Sequence, residues 1–268
     1  MCTLIMLYKV MDEFLVIAME NRDEYAYKEE QPPVYFDEDP FHSFKTYAAL
    51  DSGTKGTWLA FNRKGMFVAL TERCSSKPAD KLTKSIGRLC LEVARTYGNA
   101  EDAKDFFEEE LEEGGYHKVN FVVADKDNAY MTYYDSKVGT RKIDEGIHIF
   151  VNDYLTTCPE TFIQKHDRVD SMLRKDRAEM LLKDFKPRRI DDAIEKLKEL
   201  ARDHYDDVVP KEFTLCNHHS DEFYTRSSSI VAINKEFEKS TYLYCPGRPC
   251  EEEYEDYSHL FNEVKAHV

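Results

Sequence analysis

The sequence predicts an α+β fold in which two antiparallel sheets stack face to face between two layers of helices, a four-layer αββα sandwich. Three observations carry this expectation. Short apolar runs come in adjacent pairs, which marks hairpins rather than single strands alternating with helices. Two pairs of amphipathic helical segments interrupt the strands, giving the order strands, helix pair, strands, helix pair, strands. Each helix pair needs an apolar sheet face to cover, so two pairs need two such faces.

The elements follow in order. Leu4 to Tyr8 and Phe14 to Met19 are apolar runs separated by the polar break Lys9 to Glu13, a hairpin pattern. Residues 21–46 are polar and carry Pro32, Pro33 and Pro40, so they read as loop. Gly56 to Phe61 and Gly65 to Leu70 flank a short polar turn and form a second hairpin signal. The period then changes: Leu82, Ile86, Leu89, Cys90, Val93, Ala94 and Tyr97 share one helical face. An acidic helix from Ala100 to Glu113 ends at Gly114-Gly115. Val119 to Ala124 and Ala129 to Tyr134 are strands, and the run Phe121 to Ala124 is apolar on both faces and so is expected to be covered on both. Ile147 to Val151 is a further strand, ending at Asn152-Asp153. In the second helix pair, Val169, Met172, Leu173, Met180 and Leu181 mark one face. Ile190, Ala193, Ile194, Leu197, Leu200 and Ala201 mark the other. Strands return near Phe213 to Leu215, at Ser229 to Ile233 and at Tyr242 to Tyr244. No internal repeat or linker divides residues 1–268, so they read as one domain.

Bulk properties narrow the function. The 268 residues carry 52 acidic and 37 basic side chains, a formal net charge of −15. Such a surface repels phosphate backbones and anionic lipid, so nucleic acid is not an expected partner. The apolar stretch Thr3 to Tyr8 is too short for a signal-peptide core or a membrane span. Seven cysteines at irregular spacing fit a cytoplasmic protein with reduced thiols. Cys245 and Cys250 flank Pro246 to Pro249 with no second cysteine or histidine pair nearby in sequence, so they read as loop cysteines and no metal site is expected. Cys216-Asn217-His218-His219 does not read as a catalytic dyad, because neighbours on a strand face opposite ways. No phosphate-loop or dinucleotide pattern is present, and no cofactor is expected. The sequence carries no signal for an oligomeric state.

The chemistry concentrates at the start of the chain. In Met1-Cys2-Thr3 the small second residue permits removal of Met1, leaving Cys2 with a thiol and a free α-amine. An amine that titrates near neutrality can serve as the base for its own side chain. Asn21-Arg22-Asp23-Glu24 ends the second strand. If the first two strands pair antiparallel, these residues lie beside Cys2. Arg22 then favours thiolate, and Asp23 or Glu24 holds the amine.

With these residues in view, a family resemblance becomes specific. Met1-Cys2, the block Ala18 to Glu24, Gly56-Thr57-Trp58-Leu59 and Ala69-Leu70-Thr71 resemble the NRDE family, which includes the transport and Golgi organisation protein 2 relatives. Tyr224 to Ile230 is similar to its late threonine- and serine-rich strand. More distantly, the sequence is similar to cysteine N-terminal-nucleophile (Ntn) hydrolases such as penicillin V acylases and bile salt hydrolases. The resemblance implies an Ntn-hydrolase-type sandwich with Cys2 as nucleophile, Arg22 by the thiol, and Asp23 as the nearest match to the amine-holding aspartate. The arginine-to-aspartate spacing differs from those hydrolases, which keeps Glu24 as a rival. Asn152 resembles the oxyanion-hole asparagine, and Arg226 the arginine that closes the site from a late strand. One departure stands out: relatives often carry asparagine after Ala69-Leu70-Thr71, where this chain has Glu72. The implied activity is a cofactor-free amidase or acyltransferase acting on a small-molecule acyl or amide substrate. The alternative is a non-catalytic binding or trafficking protein for a lipid, acyl-CoA or haem-type ligand.

Overall fold

The computed structural model describes residues 2–73, 84–152, 165–205 and 214–262, with the backbone alone for 165–170. Leu82, Phe213 and the Val169 side chain, named above, lie outside these.

The central hairpin pairs β1 (Cys2–Tyr8) with β2 (Phe14–Tyr25) antiparallel, with Cys2 opposite Arg22 and Thr3 opposite Asn21. Residues 21–25, expected as loop, therefore continue the strand. In chain order β3 (Glu30–Phe36), β4 (Thr46–Asp51), β5 (Leu59–Asn62) and β6 (Phe67–Glu72) follow. Next are the helices α1 (Ile86–Thr96) and α2 (Ala100–Glu112), then β7 (Val119–Ala124), β8 (Ala129–Tyr134), β9 (Val138–Lys142) and β10 (Gly146–Val151). The second pair, α3 (Lys165–Leu182) and α4 (Ile190–Ala201), precedes β11 (Phe223–Asn234), β12 (Thr241–Cys245) and the short β13 (Glu255–Asp256).

The first sheet has the order β10-β1-β2-β11-β12-β13 and the second β3-β4-β5-β6-β7-β8-β9, with antiparallel neighbours throughout. Helices α1 and α2 cover the outer face of the second sheet, where Phe107 stacks on Phe121 at 4.1 Å between ring centroids. Helices α3 and α4 cover the outer face of the first. The two-on-two layering expected from the order of elements is the observed one.

Strand alternation divides the residues of β2 between two environments. Val16 and Ala18 join the core shared with the second sheet, whereas Ile17 and Met19 join the core under α3 and α4. Glu20 and Arg22 extend the first face; Asn21 and Asp23 extend the second. Opposite this stretch, β11 carries a bulge between Thr225 and Ser227, so Thr225 pairs with Asp23, Ser227 pairs with Arg22, and Arg226 is the extra residue.

Three local expectations needed correction. Residues 30–36 form β3 despite Pro32 and Pro33. It is an edge strand, where a missing N–H costs no ladder bond, and its register shifts at the prolines. Thr214 to Cys216 form a bend rather than a strand. In α3 the buried stripe is Ser171, Arg174, Ala178 and Leu182, while Met172 and Met180 face outward, more than half exposed. A buried ion pair, described below, turns this helix and overrides its apolar pattern. Among the described residues no helix is long and apolar enough to cross a membrane.

Candidate active site

Cys2 sits at the start of β1, buried at the edge of a cleft of about 120 Å³. The walls include Arg22, Asp51, Trp58, Leu70, Glu72 and Ile86. One wall is set by two glycines: a Cβ on Gly56 would lie 2.3 Å from the carbonyl carbon of Gly87, so the loop before β5 meets the start of α1 only without a side chain there.

The nitrogen of Cys2 donates to Oδ1 of Asn152 at 3.1 Å. Asn152 Oδ1 also accepts from Arg174 at 3.1 Å, and its Nδ2 donates to the backbone carbonyl of Glu72. Two donors on one side and an acceptor on the other fix which way the amide points. Asn152 thus holds the Cys2 nitrogen, a contact that the oxyanion-hole expectation did not include.

Below this nitrogen, on the helix side of the sheet, lies a wholly buried ion pair between Arg174 and Asp23 at 3.0 Å. Arg174 also donates to Thr3 Oγ1 at 3.1 Å, so one guanidinium ties α3 to β1, β2 and the end of β10. Asp23 accepts from Thr225 Oγ1 at 2.7 Å and from Asn217 Nδ2 at 3.4 Å. Burial raises the Asp23 carboxyl above its ordinary value, and Arg174, the amino-terminal charge and these hydrogen bonds oppose that rise. Glu24 is occupied elsewhere, with Arg22 at 3.4 Å and Lys28 at 3.1 Å.

Arg22 lies across the strand pair from Cys2 and is surrounded by acids: Glu30 at 2.5 Å, Asp51 at 2.8 Å and Glu24. Its guanidinium is stacked over Trp58, 4.6 Å from the ring centroid. The Cys2 thiol is pushed up to about 12, mainly by burial and also by Glu20 and Asp23, against the lowering effects of the amino-terminal charge and Arg22. Arg22 thus acts in the direction that favours thiolate, and burial outweighs it. Cys90 is buried on α1 and also raised by burial, in keeping with an inert thiol.

Arg226 stands apart from this cleft. It lines a second cavity of about 310 Å³ with Glu30, Tyr244 and Tyr257, and donates to Tyr224 Oη at 2.9 Å. Glu30 links the two cavities, since Oε1 meets Arg22 and Oε2 accepts from Tyr244. Glu72 is exposed on the wall of the first.

Sequence reasoning missed Arg174, Asn217, Thr225 and Glu20. Arg174 carried a readable signal: it falls at helical spacing with Ser171, Ala178 and Leu182. Glu20 is fully buried between the sheets, and neither carboxylate oxygen has a hydrogen-bond partner among the described residues. Burial holds its carboxyl well above the ordinary value. A carboxyl raised in the folded state loses stability as pH climbs above its unfolded value of 4.5. Glu20→Gln removes that loss, so its melting temperature is expected to gain on wild type between pH 5 and pH 8. Parallel thermal melts at the two pH values check this; an equal difference at both contradicts it.

Outside the cleft, Cys250 lies in a loop as expected, whereas Cys245 ends β12. Cys245 Sγ turns to the carbonyls of Gly247 and Glu252. Cys250 instead lies 3.4 Å from Cys216 Sγ, with His218 and His204 alongside.

With this geometry in place, comparison with known proteins decides the family. Residues 1–243 match the family described as Transport and Golgi organisation 2. The chain belongs to that family. No curated protein matches its sequence. Among solved structures it is similar to a mutant conjugated bile acid hydrolase from Clostridium perfringens, with a TM-score of 0.58 and 11% identity over 96% of each chain. It is also similar to the Caenorhabditis elegans N-acylethanolamine-hydrolyzing acid amidase orthologue, with a TM-score of 0.52 and 12% identity over 85% of this chain and 92% of that one. At such identities the likeness shows the fold, which is that of the Ntn hydrolases.

Proposed function

We propose that this member of the Transport and Golgi organisation 2 family is an N-terminal-cysteine amidohydrolase or acyltransferase. The observation that carries this reading is the placement of the Cys2 nitrogen at the edge of a cleft, held by Asn152 above the buried Asp23–Arg174 pair. Removal of Met1 turns that nitrogen into an α-amine. The thiol, raised by burial, needs a base, and the amine of the same residue is within reach, directly or through one water. The thiolate then attacks an amide carbonyl, the amine returns its proton to the leaving nitrogen, and a thioester remains for water or an acceptor to resolve. Asp23, whose carboxyl Arg174 lowers against the rise that burial causes, stabilises the ammonium that forms between these two transfers. Asp23 takes this role rather than Glu24, which Arg22 and Lys28 engage. Asn152 is assigned both the nitrogen contact and, through its second N–H, donation to the oxyanion. Arg22 fixes the cleft wall between Trp58 and its acids, and Arg226 acts through Glu30 or on a distal part of the substrate.

The test is a screen of N-acyl amides of graded chain length, followed by variants on the best substrate. Arg226→Ala is expected to raise KM by less than about tenfold with kcat little changed, the pattern of lost uniform binding. A loss of kcat beyond about 10²-fold would place Arg226 at the reacting atoms instead.

A second reading, a binding or trafficking protein on the same scaffold, is favoured by Glu72, which offers a carboxylate where an oxyanion would need a donor. Under it, the protein co-purifies with an apolar ligand, and Cys2→Ala leaves that binding intact.

A further inference from the structure

His204, just after α4, Cys216 and His218, in the segment before β11, and Cys250, in the loop after β12, converge from three separate parts of the chain. One ligand atom from each lies within 4.8 Å of all the others. The separations are 3.4 Å for Cys216 Sγ to Cys250 Sγ, 3.0 Å for His204 Nε2 to His218 Nε2, and 3.8 and 3.3 Å from His218 Nε2 to Cys216 and Cys250. A tetrahedral zinc with bonds of about 2.3 Å to sulfur and 2.0–2.1 Å to nitrogen sets ligand atoms about 3.8, 3.3 and 3.5 Å apart for the sulfur, nitrogen and mixed pairs. The four separations lie within about 0.4 Å of these values, and the two remaining pairs, from His204 to the cysteines, lie within 4.8 Å.

We infer that these four residues form a structural zinc site. Binding converts two thiols to thiolates and releases two protons, and the two thiolates balance the dication, so the centre is neutral and tolerates burial. All four positions are filled by protein atoms, which leaves none for substrate and makes the site structural rather than catalytic. The ligand order of histidine, cysteine, histidine, cysteine over 47 residues matches no short spacing motif, which is why the sequence concealed it.

The site reaches the cleft through Asn217, which stands between two ligands. Its side chain donates to Asp23, its backbone N–H is held by Thr225 Oγ1 at 2.7 Å, and its carbonyl accepts from Thr225 N at 3.0 Å. On the other side, Cys216 N donates to the carbonyl of Asp203, whose carboxylate pairs with Arg177 of α3 at 2.7 Å. Zinc therefore clips α4 to the segment that supports Asp23.

The experiment is elemental analysis of the full chain, produced without a metal-affinity step, together with cobalt substitution. One zinc per chain is expected, lost in Cys216→Ser and Cys250→Ser and kept in Cys245→Ser. Cobalt is expected to give thiolate charge-transfer and tetrahedral d–d bands. Should the serine variants fail to fold, wild type answers alone: zinc should shield Cys216 and Cys250 from alkylation, and a chelator should expose both while lowering the melting temperature. Metal-free protein whose melting point ignores added zinc would overturn the inference. So would a Cys216–Cys250 disulfide in protein purified without reductant, or bound zinc indifferent to both serine substitutions.

Discussion

Cys2→Ala is expected to abolish turnover of any amide substrate while leaving the fold intact. The side chain is buried at the end of β1, and the change deletes one sulfur atom, a packing loss of about 1 kcal/mol. The hydrogen bond from its nitrogen to Asn152 survives, because it uses the main chain. Removing a nucleophile costs far more than removing a supporting group, and a fall of at least about 10³-fold in kcat is expected, down to the uncatalysed background. Cys2→Ser tests the same point from the other side: it keeps the amine and the geometry but weakens the attacking atom. Thermal melts and circular dichroism establish that the variants are folded, and steady-state rates give the effect. Full activity in Cys2→Ala would remove the nucleophile assignment.

The second large effect is on stability. Arg174→Met is expected to destabilise the protein by about 3–5 kcal/mol, since it strands a buried carboxylate with no cation beside it. Both side chains are fully buried, so solvent screening does not reduce this figure. The loss has a pH signature. Without Arg174, burial raises the Asp23 carboxyl further, and a carboxyl raised in the folded state loses stability as pH climbs above its unfolded value of 3.8. The deficit of Arg174→Met against wild type should therefore shrink towards pH 4 and widen towards pH 7. Adding Asp23→Asn should recover part of it, because the double variant no longer buries an unpaired charge. Denaturant titrations of wild type, both single variants and the double variant measure this coupling. Additive losses would mean that the pair does not act as a unit.

The layering of the fold was readable because hairpin pairs and helix pairs leave different periods, and burial enforces them. The register of β1 on β2 was also readable, and it brings Arg22 opposite Cys2 and Asp23 close by. What escaped was set by contacts remote in sequence. Met172 and Met180 look like a buried face of α3, yet the need to pair Asp23 turns Arg174 inward and the methionines outward. Asn217 and Thr225 reach Asp23 across about two hundred residues, one from just after a bend and one beside a bulge, and neither carries a local signal. Asn152 was singled out by its resemblance to a family asparagine at a strand end, but the hydrogen bond from Cys2 depends on the amide orientation that Arg174 and the Glu72 carbonyl impose. Glu20 breaks the rule that a strand buried on both faces is apolar, and alternation alone did not reveal that its face was the inner one.

The most direct test of the central claim is a trapped acyl-enzyme. Natively processed protein is mixed with N-acyl anilides, quenched in acid during turnover, digested and mapped by mass spectrometry. The account predicts an amino-terminal peptide that begins at Cys2 and carries the acyl group on its thiol, absent from Cys2→Ala. An acyl group on another cysteine, or sustained turnover by protein that retains Met1, would contradict it.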